Sequence, residues 1–128
     1  MIYLLVVFCG GIGALLRYLS TQLINSVFKI QFSLGTLFVN CLGALLIGFL
    51  VNFFDLYSLN AKWRLLIITG FLGGYTTFSA YSLETVQYFI NGNIKYAVIN
   101  ILANNVLCIL FVLMGLWLNN IIFQNNIG

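Results

Sequence analysis

Histidine is absent from this 128-residue chain, and its only acids are Asp55 and Glu84, against five basic residues. With no histidine and no acid pair, the serines have no base to activate them. Nucleophilic and metal-hydrolytic enzyme schemes therefore lack their parts, and the chain reads as a non-enzyme. Charge of either sign is scarce. Charged residues make up 5% of the sequence, where a soluble globular domain carries roughly a quarter. The formal charge of +3 is scattered and never clustered, so no nucleic-acid partner is expected. Cysteine is sparse too. Cys9, Cys41 and Cys108 each fall within an apolar run and read as small buried hydrophobes rather than a disulfide or metal set. Met1 leads into the first apolar run without a basic stretch or a cleavage site, so no signal peptide is expected.

What the chain has instead is hydrophobic length: 62% of its residues are apolar. Spans of about 20 residues cross a bilayer as helices, and four fit, over about 2–28, 32–54, 65–90 and 95–118. The fold class expected is an all-α membrane protein with four transmembrane helices in a single domain, 1–128. Residues 55–64 read as the middle loop and Asn91-Gly92-Asn93 as the last turn. Lys62 and Arg64 then lie on one side, Lys29 and Lys95 on the other. A near-tie leaves the positive-inside rule almost nothing to act on. Such a chain inserts both ways, and two copies pair antiparallel, as a dual-topology dimer.

Within the third span, residues 70–82 crowd Gly70, Gly73, Gly74, Thr76, Thr77, Ser79 and Ser82 among aromatic rings. Bare backbone at membrane depth survives only where protein covers it or where it lines a wet path. The stretch therefore predicts a broken helix with a binding or conduction site at the break. The competing reading is close helix packing through Gly70 and Gly74 at four-residue spacing. That reading leaves the hydroxyls unexplained.

The other spans carry polar residues that need partners. Arg17 lies about 24 Å along the first helix, short of the far edge of a core about 30 Å thick. It reads equally as a snorkelling side chain or as a cation facing an aqueous vestibule. Thr36, Asn40, Gly43 and Ala44 make one small, polar face of the second helix. Asn100, Asn104 and Cys108 share a face of the fourth at four-residue steps, with Asn105 beside them. Glu84 reads as a structural carboxylate near the interface, or as a proton carrier. Asn119, Asn120, Gln124, Asn125 and Asn126 form a polar, frayed tail. With no central acid but many uncharged donors and ring edges, this inventory suits a small anion better than a cation or proton.

Three motifs, Gly10-Gly11-Ile12-Gly13-Ala14-Leu15-Leu16-Arg17-Tyr18, Gly35-Thr36-Leu37-Phe38-Val39-Asn40 and Gly70-Phe71-Leu72-Gly73-Gly74-Tyr75-Thr76-Thr77-Phe78-Ser79, resemble those of the Fluc (CrcB) fluoride channels, in family order and spacing. The resemblance implies a bacterial, multi-pass inner-membrane protein that lets cytoplasmic fluoride leave passively. It implies an antiparallel homodimer, or a heterodimer with a paralogous subunit, with two pores at the interface. It also implies a structural Na+ at the dimer centre, held by the backbone carbonyls of Gly73 and Thr76. The fluoride path carries over to Asn40, Thr36, Phe78, Thr77 and Ser79, with Arg17 at the vestibule and Glu84 on the third helix. Three positions depart from the family pattern. Tyr81 stands where the family has a second phenylalanine, and Asn104 and Cys108 stand where its fourth helix offers a tyrosine and a serine.

Two other classes compete. A small dual-topology multidrug or cation exporter shares the size and charge balance but needs a titratable acid in its first helix, and none is there. A non-transporting, holin-like assembly protein would need no polar track.

Overall fold

The structure, a computed structural model, describes residues 1–124 and is all-helical. Helix α1 is Ile2–Phe28 and α2 is Leu34–Leu56. Helix α3 spans 61–75 and α4 is Phe78–Ile90, and the two are halves of one broken third span. Helix α5 spans 94–124. Three continuous helices have the length and composition to cross a membrane: Ile2–Phe28, Leu34–Leu56 and Ile94–Phe123, with mean hydropathies of 2.0, 2.2 and 2.4. The fourth crossing is the broken one. Large apolar side chains are exposed along every span, as lipid-facing helices require.

Two differences from the sequence reading concern chain ends and loops. The middle loop is much shorter than residues 55–64. Asp55 still belongs to α2, and the Asn60 side chain accepts a 2.9 Å bond from the Lys62 amide, capping a new helix at Ala61. An asparagine N-cap of this kind starts a helix by occupying an orphan amide. Arg64 then reaches back to Asp55 at 2.8 Å. The second difference is at the other end, where α5 does not fray after Leu118. Asn119 is fully buried and donates to the Phe49 carbonyl at 3.0 Å, while Asn52 donates to Asn120 at 3.0 Å. These amides pin the end of α5 onto α2. Asn125 and Asn126 lie outside the described residues.

Helix backbones approach each other most tightly through glycines in two places. Between α2 and α5, a methyl built on Gly48 would lie 2.2 Å from the Val112 carbonyl oxygen, and one on Gly115 would lie 2.2 Å from that of Leu45. Between α1 and α3, a methyl on Gly74 would sit 2.3 Å from the Gly10 oxygen, and one on Gly13 would sit 2.2 Å from that of Phe71. Gly70 and Gly74 thus pack against α1, and the break follows directly after them. The helix break and the close glycine packing both occur, on adjacent residues. The turn at Gly92, at φ 75°, follows α4 as expected.

Candidate ion pathway at the break in the third helix

The break is prepared before it happens. From Leu65 to Leu72 the α3 backbone is wound wide, in π-helical form, before a last α-turn at Gly73–Tyr75. Such widening is common at functional sites. The Thr76 amide and hydroxyl both close on the Leu72 carbonyl, at 3.0 and 3.1 Å. Thr76 and Thr77 then run extended, with ψ of 162° and 121°. Helix α4 restarts at Phe78, where the Thr77 hydroxyl accepts from the Ala80 amide at 3.1 Å.

Opening the helix exposes backbone groups that must be answered. Asn40 answers two of them. Its Oδ1 accepts from the Thr77 amide at 2.8 Å, and its Nδ2 donates to the Thr77 carbonyl at 3.0 Å. The asparagine side chain imitates a neighbouring peptide. The Gly73 and Thr76 carbonyls are among those that lose their helical partners in the process. Thr77 N–H, which would have closed on Gly73, goes to Asn40. Ala80 N–H, which would have closed on Thr76, goes to the Thr77 hydroxyl.

Asn40 also starts a chain of side chains. Its Nδ2 donates to Asn104 Oδ1 at 3.0 Å, and Asn104 Nδ2 donates to Asn100 Oδ1 at 2.9 Å. Asn100 Nδ2 donates to Thr85 Oγ1 at 2.9 Å, and Thr85 donates to the Tyr81 carbonyl at 2.8 Å. Every bond points the same way, from the break through α5 and back into α4. Bonds so ordered polarise one another. The i, i+4 spacing of Asn100 and Asn104 was the available signal for this chain, but it could not show which residues the two would join.

A groove of about 370 Å³ opens beside the break. Asn40, Gly73, Thr76, Thr77, Phe78, Tyr81, Asn104 and Cys108 line it, together with Asn105 and apolar residues of α2, α3 and α5. Phe78 and Tyr81 meet edge to face, with centroids 5.2 Å apart. The Phe78 ring is 76% exposed, whereas Tyr81 is buried. Cys108 Sγ lies 4.0 Å from Cys41 Sγ and both are thiols; a disulfide would need about 2 Å.

Four of the expected residues do not line the groove. Thr36 is buried and its hydroxyl donates to Glu84 Oε1 at 2.5 Å, where Ser33 also donates at 2.8 Å. Glu84 Oε2 is buried with no partner among the described residues. Ser79 shares a hydrogen bond with the Thr77 hydroxyl at 3.2 Å. Arg17 is half-buried on α1, with no ion pair among the described residues. The sequence reading placed Asn105 near this track without a role; the structure joins it to Tyr81 at 3.1 Å.

Comparison with known proteins fits this geometry. A family model described as CrcB-like protein, Camphor Resistance (CrcB), matches residues 4–116. A protein of Hydrogenobaculum named "Fluoride-specific ion channel FluC" is 44% identical over 121 residues, covering 94% of this chain and 98% of its own. One of the same name from Campylobacter jejuni is 42% identical over 121 residues, covering 94% and 96%. Another, from Dehalococcoides mccartyi, is 41% identical over 118 residues, covering 91% of each. With a family match across nearly all of its length and relatives this close, the chain belongs to the CrcB-like (Camphor Resistance, CrcB) family.

Proposed function

We propose that this protein is a fluoride channel, which lets cytoplasmic fluoride leave passively across a bacterial cell membrane through the groove beside the break. The observation that carries the reading is the interrupted third span, set against a groove lined by uncharged polar groups and ring edges. A conducting path must offer donors that stand in for the ion's water without trapping it. Asn40, Thr77, Asn104, Cys108 and the edges of Phe78 and Tyr81 supply such a wall. Ser79 supports it one contact further out, through Thr77, whereas the Thr36 hydroxyl is turned to Glu84. Arg17 gives an entering anion a nearby positive charge. The names of the relatives support the same reading.

Two copies, antiparallel, complete the pathway in this proposal. The Phe78 ring, 76% exposed in a single chain, gains a covering surface in such a dimer. The near-even split of basic residues between the two sides permits the second orientation. A partner from a paralogous gene would satisfy the same geometry. At the dimer centre, the Gly73 and Thr76 carbonyls fit a hard cation such as Na+. Hard cations take oxygen ligands, and these two oxygens have lost their helical amides to Asn40 and Thr77. Na+ bound there would supply the positive charge that these freed carbonyl oxygens can accept.

The test is efflux from liposomes carrying this chain alone, with fluoride and chloride followed in parallel and potassium shunted by an ionophore. Fast fluoride release without chloride is the expected result. Silence from a folded, membrane-inserted protein would overturn the self-sufficient channel. Phe78→Ile keeps bulk but removes the electropositive ring edge, and we expect at least a tenfold loss of fluoride flux with the protein's assembly unchanged. Undiminished flux would remove the ring from the path.

A further inference from the structure

Counting hydrogens in the groove leaves few of them free, and one group stands out. Both Nδ2 hydrogens of Asn40 are committed, one to Thr77 and one to Asn104. Asn104 directs its amide group at the Asn100 carbonyl and Oδ1. Asn105 divides its two hydrogens between the Ile101 carbonyl, at 2.7 Å, and the Tyr81 hydroxyl, at 3.1 Å. The Thr76 hydroxyl is spent on Leu72; the Thr77 and Ser79 hydroxyls share one bond, as do the Cys108 and Cys41 thiols, so each of these pairs keeps one hydrogen, that of the thiols being a weak donor. The Tyr81 hydroxyl is different. It receives a bond from Asn105, and its own hydrogen has no acceptor among the described residues.

A phenol has one hydrogen to give, and an occupied lone pair restricts where that hydrogen points. The Tyr81 ring is 9% exposed and held edge to face against Phe78, so the hydroxyl stands on a fixed body. The geometry points to Tyr81 O–H as the hydrogen-bond donor that receives fluoride in the groove, with Asn105 as the positioning residue that aims it. The inference rests on the channel reading and sharpens it. Fluoride is the smallest halide and the strongest hydrogen-bond acceptor among them. A single well-aimed O–H therefore favours fluoride over chloride, and a phenylalanine at this place offers only a ring edge.

The experiment compares wild type, Tyr81→Phe, Asn105→Leu and the double variant in the liposome assay. Fluoride efflux and the fluoride-to-chloride ratio are both read. A hydrogen bond to a charged group is stronger than one between neutral groups, so Tyr81→Phe should lower the rate or the ratio roughly tenfold or more. Asn105→Leu should lower it by less, and should add nothing once Tyr81 is Phe. An additive loss would mean that Asn105 acts on something else and would overturn its positioning role. A direct readout guards against a folding artefact. In wild type, fluoride should shift the tyrosine Raman doublet toward a donating phenol, and the shift should vanish in Tyr81→Phe. If wild type conducts and Tyr81→Phe matches it in rate and ratio, the donor assignment is wrong and the channel reading survives. If wild type does not conduct, the channel reading itself fails.

Discussion

Asn40→Leu should unfold the centre of the protein rather than only slow the ion. The substitution strands two groups, the Thr77 amide and Asn104 Oδ1, and takes a second partner from the Thr77 carbonyl, which keeps its bond as the cap of α4. A buried polar group left without its partner costs about 1–3 kcal/mol. Interhelical side-chain bonds in membranes average about 0.6 kcal/mol, since the unfolded state also finds partners. The higher figure applies here, because the Thr77 amide is backbone at a helix break with Asn40 as its one partner among the described residues. We therefore expect a loss of about 3 kcal/mol or more, on the order of 10 °C in the melting midpoint. Asn40→Asp should be no rescue. A carboxylate still accepts from Thr77 N–H, but it turns lone pairs toward the Thr77 carbonyl and Asn104 Oδ1. Thermal melts and size-exclusion profiles in detergent check both variants. A midpoint for Asn40→Leu equal to wild type would mean that the break is held by something other than this asparagine.

The second large effect lies between α2 and α5. A methyl at Gly48 or Gly115 arrives 2.2 Å from a carbonyl oxygen of the facing helix, and backbone cannot swing aside as a side chain can. Overpacking a tight core costs about 1–3 kcal/mol, occasionally more. Alanine at either site should reach the upper part of that range, because separating the helices also strains the Asn119 bond to Phe49 and the Asn52 bond to Asn120. The double alanine variant should cost clearly less than the sum of the singles. Once one methyl has parted the helices, the second enters existing space, and such sharing is what non-additivity measures. Gly11, with nothing within 4 Å of a built methyl, should accept alanine without loss. A strictly additive pair would show that each glycine is accommodated locally, with no shared movement of the helices.

The sequence made the break legible because its residue types conflict with a lipid-exposed helix: glycines and hydroxyls where the neighbours are Leu and Ile. Hydropathy and length gave the spans. What the sequence did not reveal is how the polar residues spend their hydrogens. Asn40 and Asn104 lie on different helices, 64 positions apart in the chain, so no local spacing predicts their bond. Thr36 faced the expected path on a helical wheel, yet its hydroxyl serves Glu84 instead. Asn119 and Asn120 looked like a solvent-exposed tail because polar runs at chain ends usually are. Their partners on α2 are visible only once the helices are packed. Gly48 and Gly115 gave no signal, since a single glycine within an apolar helix has no pattern to mark it.

The directed chain from Thr77 through Asn40, Asn104, Asn100 and Thr85 to Tyr81 begins at the cap of α4 and ends in its first turn, four residues apart. It therefore acts as a ring. Across generations, a ring of this kind does not drift one member at a time. An isolated change at Asn100 or Asn104 leaves a donor facing a donor, or a lone pair facing a lone pair, and the next member inherits the fault. Substitutions that persist at these positions must arrive as compensating sets. A lineage carrying a different residue at 104 is thus expected to carry a changed partner at 40, 100 or 85 as well.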